Sequence, residues 1–346
     1  MVDRFFFNKE TVYFALLLIV SIVFLLLFGN ILLPVLISII IAFLLDELVQ
    51  AFESLNLPRW VALTFSFVVF FGLYLGVFII LPSVGAQINS LIQSLPNIVL
   101  SFQSTLYNFS DSYPEVISEE EIKSLLLNLG SQLNNLLSVG LLQLAGTISF
   151  AFNALLYAIL IPLMVFFFVK DKNYLLLILF SILPRKSELM DSIFKEMNLQ
   201  LSNYVSGKLV EILIVGSLSY IIFAYIGLPY AVLLSLLVGL SVIIPLFGAI
   251  LVTIPVLLVG LYEWGLTEQF YWLVGLYILI QILDGNILVP ILFSDRNNLH
   301  PVFIIIAILF FGGIWGFWGL FFAIPLATFI KAIANSWPQN RHEELE

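Results

Sequence analysis

The residues best suited to chemistry in this sequence crowd into one short stretch. It reads Gln281-Ile-Leu-Asp284-Gly285-Asn286, followed by Pro290 and then by Asp295-Arg-Asn297-Asn-Leu-His300-Pro301. The surrounding sequence is almost wholly Ile, Leu, Val, Tyr and Phe. A carboxylate in such a setting is costly unless it is paired, protonated or facing water, so Asp284 marks a candidate solute or ion pathway. Gln281 stands three residues before Asp284, which places both on one face of a helix. Asn286 follows at an expected helix break before Pro290. The alternative role for this trio is an inter-helix hydrogen bond that holds a bundle together. Asn297 and His300 lie at the entry to the next apolar segment, where His300, directly before Pro301, reads either as a helix cap or as a proton carrier. Glu211, three residues after Lys208, either pairs with that lysine or serves as a second intramembrane carboxylate. Asp46 and Glu47 read as interfacial.

Other chemistries are poorly represented. No Gly-x-Ser-x-Gly, His-Glu-x-x-His or phosphate-loop pattern occurs, which argues against an enzyme or a primary pump. Two histidines and no cysteine give no convincing metal site, and no cofactor is expected. A net charge of −9 without a basic, aromatic-rich patch argues against a nucleic-acid partner.

The elements that must position these residues belong in a bilayer. Hydrophobic residues make up 62% of the chain and charged residues 10%, where a soluble domain carries about 25% charged. Apolar runs at 12–28, 60–81, 148–169, 209–226 and 270–283 approach or reach the roughly 20 residues that span a hydrocarbon core. The first run follows a short charged lead without a small-residue cleavage site and reads as a retained helix. The thirteen Lys and Arg residues set the orientation, because positive charge is retained in the cytoplasm. Starting inside, helices at about 12–33 and 34–52 cross and return. A third, at 60–81, exits to an extracytoplasmic region at 83–147. A fourth, at 148–169, returns to a cytoplasmic and interfacial region at 170–208. A fifth, at 209–228, exits again and begins a C-terminal transport region extending to 335. The polar tail, 336–346, is then cytoplasmic like the N-terminus.

Two segments, 228–260 and 299–332, are too long for one span and too interrupted for an ordinary pair. The first is broken at Pro245 to Gly248 and again at Pro255; the second at Gly312, Gly313, Gly316 and Gly319, then at Pro325. Gly248-Ala-Ile-Leu-Val-Thr-Ile254-Pro255 matches Gly319-Leu-Phe-Phe-Ala-Ile324-Pro325 with one residue deleted. The expected fold is therefore an all-α integral membrane protein with nominally eight hydrophobic segments. Two of these are broken helices or re-entrant hairpins that form an inverted repeat, an arrangement that brings half-helix ends to the midplane of secondary transporters. With both as hairpins, every cation except Lys123 is cytoplasmic. The bland alternative is that these glycines and prolines only allow close helix packing, as in Gly72-x-x-x-Gly76.

Outside the membrane, Ile88, Leu91, Ile92, Leu95, Ile98, Val99 and Phe102 make an apolar helical stripe. Ser118-Glu-Glu-Glu121 reads as a capping box opening a helix whose leucine face runs from Leu125 to Leu144. That face packs within the chain or on a second copy, and together with the Gly-x-x-x-Gly pairs it suggests a homo-oligomer. Ser187 is placed to cap an interfacial helix carrying Leu189, Ile193, Met197, Leu201, Tyr204 and Val205.

The motif block Gln281-x-x-Asp284-Gly285-Asn286-x-x-x-Pro290, Leu299-His300-Pro301, Gly312-Gly313-x-x-Gly316-x-x-Gly319 and Ala323-Ile324-Pro325-Leu-Ala327 resembles the autoinducer-2 exporter (AI-2E) family of bacterial permeases. Gly227-Leu-Pro229-Tyr230-Ala231 and Ile244-Pro245-x-x-Gly248 carry the same resemblance. The C-terminal block is specific, whereas the N-terminal half matches in hydropathy only. Asp284 stands where the family often carries Glu. The resemblance implies an oligomeric transporter of a small solute in the bacterial cytoplasmic membrane. The family is linked both to export of autoinducer-2 and to sodium/proton antiport. Three functions follow as expectations: a secondary transporter that moves a small polar solute by alternating access, a cation/proton antiporter, and a non-transporting membrane scaffold. The first expects a cavity lined by groups such as Asn286, Asn297, Thr253 and Ser241; the second expects Asp284 to be ion-coupled.

Overall fold

The computed structural model describes residues 32, 34–112, 122–123, 147–182, 188–245, 247–293 and 300–336. The first expected helix (12–33), the capping box at 118–121, the leucine face at 125–144, Ser187 and Asn297 lie outside these residues. Among the described residues the only regular structure is helix. In chain order the helices are α1 (Pro34–Ser54), α2 (Arg59–Ser112), α3 (Thr147–Lys170), α4 (Lys172–Ile182), α5 (Glu188–Tyr225), α6 (Ala231–Ser241) and α7 (Phe247–Trp264). They continue with α8 (Glu268–Leu283), a π-helical turn (Asp284–Leu288), α9 (Val289–Phe293), α10 (Pro301–Trp315) and α11 (Phe317–Ser336). Among the described residues five stretches are long and apolar enough to cross a membrane: Pro34–Ser54, Arg59–Asn108, Tyr204–Tyr225, Phe247–Trp264 and Glu268–Phe293. The protein is an all-α integral membrane protein.

Two helices are longer than the sequence pattern suggests. The span at 60–81 and the amphipathic stripe at 88–102 are one helix, α2, which runs through Pro82 and Pro96. The interfacial helix near 188–205 and the span at 209–226 are likewise one helix, α5. Pro82 at the first junction removes one backbone donor and Gly207 at the second weakens helix propensity, yet both helices continue where hydropathy changes. The stop after α5 is well encoded. Gly227 takes φ 74, its N–H reaches the carbonyl of Ala224, and Leu228 N–H reaches that of Phe223. This is the glycine-terminated helix end in which two orphan carbonyls are satisfied.

The chain divides into two compact units, each assembled from separated stretches of sequence. The first takes its described residues from 1–71, 155–207 and 293–346. In it Tyr204, Val205 and Ile324 form a buried cluster with Phe293 and Ile304. The Tyr204 hydroxyl donates to the Phe321 carbonyl at 3.2 Å. Asp46 accepts from Lys172 at 2.6 Å and from Gln50 at 2.7 Å, while Glu47 accepts from Ser206. The second unit takes its residues from 72–154 and 208–292. Its core includes Ile98, Phe223, Leu234, Val256, Leu273 and Tyr277. The C-terminal half of α2 holds the start of α6, since Gln87 accepts from Leu233 N–H at 2.9 Å and Ser94 bonds the Tyr230 hydroxyl at 3.0 Å.

Each unit contains one of the two interrupted segments, and each segment is a helix–turn–helix. The α6–α7 turn passes through Pro245; the α10–α11 turn is Gly316, at φ 58 and ψ −133, a conformation only glycine adopts without strain. The repeated glycines occupy the same place in both. A Cβ on Gly248 would lie 1.7 Å from the Ser241 carbonyl oxygen, and one on Gly319 would lie 1.8 Å from that of Phe311. Each glycine thus lets one arm's backbone touch the other's. The second interruption expected in each segment is absent, because Pro255 and Pro325 stand inside continuous helices. Proline removes one backbone donor, and neighbouring elements make up for that loss in membrane helices.

Candidate functional site

The site is built on the part of α5 from Lys208 onward, on α6 and on α8, all within the second unit. Lys208 and Glu211 lie one turn apart on α5, and their side chains are 8% and 2% exposed. The Lys208 ammonium donates to Glu211 Oε2 at 2.7 Å and to the Val242 carbonyl at 2.8 Å. Val242 closes the C-terminal end of α6, where carbonyls lack helical partners and the helix dipole is negative. A buried charge pair of this kind holds only when both members are satisfied. Here the lysine meets a carboxylate and a helix end together.

Asp284 comes from the opposite side of this pair in sequence, at the end of α8. Pro290 cannot donate an N–H to Asn286, and in an α-helix its ring would collide with that carbonyl. The chain answers with the π-helical turn, in which Val289 N–H bonds the Asp284 carbonyl. Such turns recur at functional sites because they swing side chains off the regular helical register. The Asp284 carboxylate is half-buried, and its Oδ1 is buried with no hydrogen-bond partner. It is close enough to Lys208 and Glu211 for their charges to interact. The three groups together carry a formal charge of −1. One turn and two turns back along α8, Gln281 and Tyr277 continue the same face. The Tyr277 hydroxyl bonds Gln281 and accepts from Thr253 of α7 at 3.2 Å, while its ring stacks on Phe223.

The structure brings together Asp284, Gln281 and Glu211 of the residues singled out from sequence. Asn286 is exposed, two residues on from Asp284, and its amide donates to the Ile282 carbonyl of its own helix. His300 is the cap of α10: its Nδ1 accepts from Val302 N–H at 3.3 Å. Ser241 and Thr253 donate to carbonyls of their own helices. Pro245 lies in the first hairpin turn and Gly316 in the second, with Gly312 and Gly313 inside α10 and Pro290 inside α9. Lys208, Tyr277 and the Val242 carbonyl complete the cluster. The spacing of Lys208 to Glu211 and of Tyr277 to Gln281 signals two of these; a backbone carbonyl leaves no sequence signal. Among the described residues no group of three or more His, Asp or Glu side chains is placed to hold a metal.

Ionisable groups within membrane-length helices and interrupted helices recur in the solute pathways of transporters. The AI-2E family transporter pattern matches residues 14–339. The chain belongs to the AI-2E transporter family. It is 38% identical to PerM of Escherichia coli (strain K12), a permease by name, over 98% of this chain and 96% of that one. It is 28% identical to the Bacillus subtilis (strain 168) transport protein YueF, over 86% of this chain and 82% of YueF. Against the AI-2 transport protein TqsA of Escherichia coli (strain K12) the identity is 24%, over 88% of this chain and 85% of TqsA. As an AI-2E transporter the chain is a multi-pass membrane protein of a bacterial permease family, acting on a small solute in contact with lipid.

Proposed function

We propose that this AI-2E transporter is a secondary transporter that moves a small polar solute across the bacterial inner membrane by alternating access. In this reading the Lys208–Glu211–Asp284 cluster couples that movement to a proton or cation. The observation that carries it is the buried, unpartnered Oδ1 of Asp284 beside a satisfied ion pair. A carboxylate left with open acceptor capacity inside a membrane-length helix is poised to take up a proton or a cation. Gln281 and Tyr277 line the approach to it. The hairpins supply the moving parts, with Gly316, at positive φ in the second turn, at a place where backbone torsions change cheaply.

A cation/proton antiporter without an organic solute is the second reading. It is favoured by the fact that Asn286, Ser241 and Thr253, three of the polar groups expected to line a solute cavity, bond carbonyls of their own helices. Both termini are cytoplasmic in this proposal, and the protein works as a homo-oligomer. Purified protein in proteoliposomes, given autoinducer-2 or sodium gradients with an internal pH dye, tests the reading. Protein-dependent solute flux driven by the pH gradient supports the first version; sodium–proton exchange alone supports the second. Vesicles that match empty controls under every gradient refute both. Ser112→Cys and Ser336→Cys, placed in this cysteine-free chain, test orientation with an impermeant thiol reagent. Labelling of Ser336→Cys from outside intact cells overturns it.

A further inference from the structure

We infer that the Lys208 ammonium is a tethered stand-in for a transported monovalent cation. It fills a site made of Glu211 Oε2 and the Val242 carbonyl, and it vacates that site by turning to Asp284. The inference rests on the proposed transport role of the same cluster. Its basis is an imbalance visible in the geometry. The ammonium makes short bonds to a carboxylate and to a helix-end carbonyl, which hold it on the Glu211 side of the cluster. Those two oxygens, with Asp284 Oδ1, are a set of hard acceptors of the kind that holds small cations, half-helix C-terminal carbonyls included. Asp284 Oδ1 meanwhile is buried without a partner, although Lys208 is within electrostatic reach. Two carboxylates therefore share one ammonium. Whichever carboxylate the lysine leaves is a vacant anionic site, which an incoming monovalent cation fills without leaving the cluster at an uncompensated charge of −1.

The sign of the charge also selects the class of ligand. With one positive and two negative groups, the cluster repels anions and admits a cation. The lysine stem carries four carbons and is long enough for its head to move between neighbouring acceptors, whereas an arginine fork is held by bidentate geometry. A tethered competitor of this kind acts at an effective concentration of roughly millimolar or above, so it weakens cation binding without any new contact.

The test is the thermal unfolding of purified protein titrated with sodium against N-methylglucamine at constant ionic strength. Removing the competitor in Lys208→Met lowers the sodium midpoint by about tenfold or more. Glu211→Gln, which frees the ammonium to stay on Asp284 and leaves no excess charge, raises the midpoint above that of the wild type. Equal unfolding of Lys208→Met in the two cations overturns the inference, as does a Glu211→Gln midpoint at or below the wild-type value. If Lys208→Met does not fold in either cation, the Glu211→Gln comparison decides alone. Wild-type transport with cation-blind variants sinks this inference and spares the transport reading; cation-tuned variants in a protein that transports nothing do the reverse.

Discussion

Replacing Gly319 by alanine probes the second hairpin at its tightest point. The new Cβ would sit 1.8 Å from the Phe311 carbonyl oxygen and 2.4 Å from its carbon, and ordinary contact begins at 3.4 Å. The arms must therefore part by about 1.6 Å at that level, 3.4 − 1.8. The obstacle is backbone and not the end of a flexible side chain, so no rotamer change relieves it. Overpacking into a fixed neighbour costs about 1–3 kcal/mol and more when backbone must shift, which puts Gly319→Ala at about 3 kcal/mol or above. Gly248→Ala meets the Ser241 oxygen at 1.7 Å and falls in the same class. Gly313→Ala, on the same α10–α11 hairpin, meets nothing within 4 Å and gains helix propensity, so it is neutral or mildly stabilising. Thermal unfolding in mild detergent followed by tryptophan fluorescence separates them, with Gly319→Ala lower by about 5 °C or more. If Gly319→Ala unfolds with the wild type, or Gly313→Ala is equally damaging, the close-contact account of the hairpin is wrong.

Two further substitutions probe the charged and capping residues. Lys208→Met, in medium free of small cations, leaves Glu211 buried and unpaired and destabilises by about 3–5 kcal/mol; adding Glu211→Gln in the same chain restores most of the loss. Chemical denaturation of the three proteins checks this, and additive losses would show that the two residues do not act as a pair. His300→Ala removes the acceptor for Val302 N–H and costs about 1 kcal/mol, with the pH profile of transport unchanged. A displaced pH profile in that variant would instead make His300 part of the proton route.

Much of the site could be read along the chain because its spacing is helical. Gln281 and Asp284 share a face at i, i+3, and so do Lys208 and Glu211, and these pairs are where the sequence places them. The hairpins were legible because Pro245 and Gly316 interrupt long apolar segments. Pro255 and Pro325 misled because a proline inside a membrane helix removes one hydrogen bond without ending the helix. What escaped was whatever depends on partners distant in sequence. Lys208 reaches a carbonyl 34 residues away, and Tyr277 meets Thr253 across two helices. Asn286 looked like a site residue by proximity, yet two residues along a helix point it away from Asp284, and its amide is already held by Ile282. His300 carried two readings from sequence; the bond from Val302 N–H makes it a cap.

Asp284→Asn tests the central claim most directly, because it keeps the shape of the side chain while removing its ionisation. Transport by this variant and by the wild type is measured in proteoliposomes across a range of pH, after insertion and assembly are shown to match. The account predicts that the variant loses the pH dependence of transport. Movement at the wild-type rate with an unchanged pH profile would make Asp284 structural and contradict ion coupling at this site.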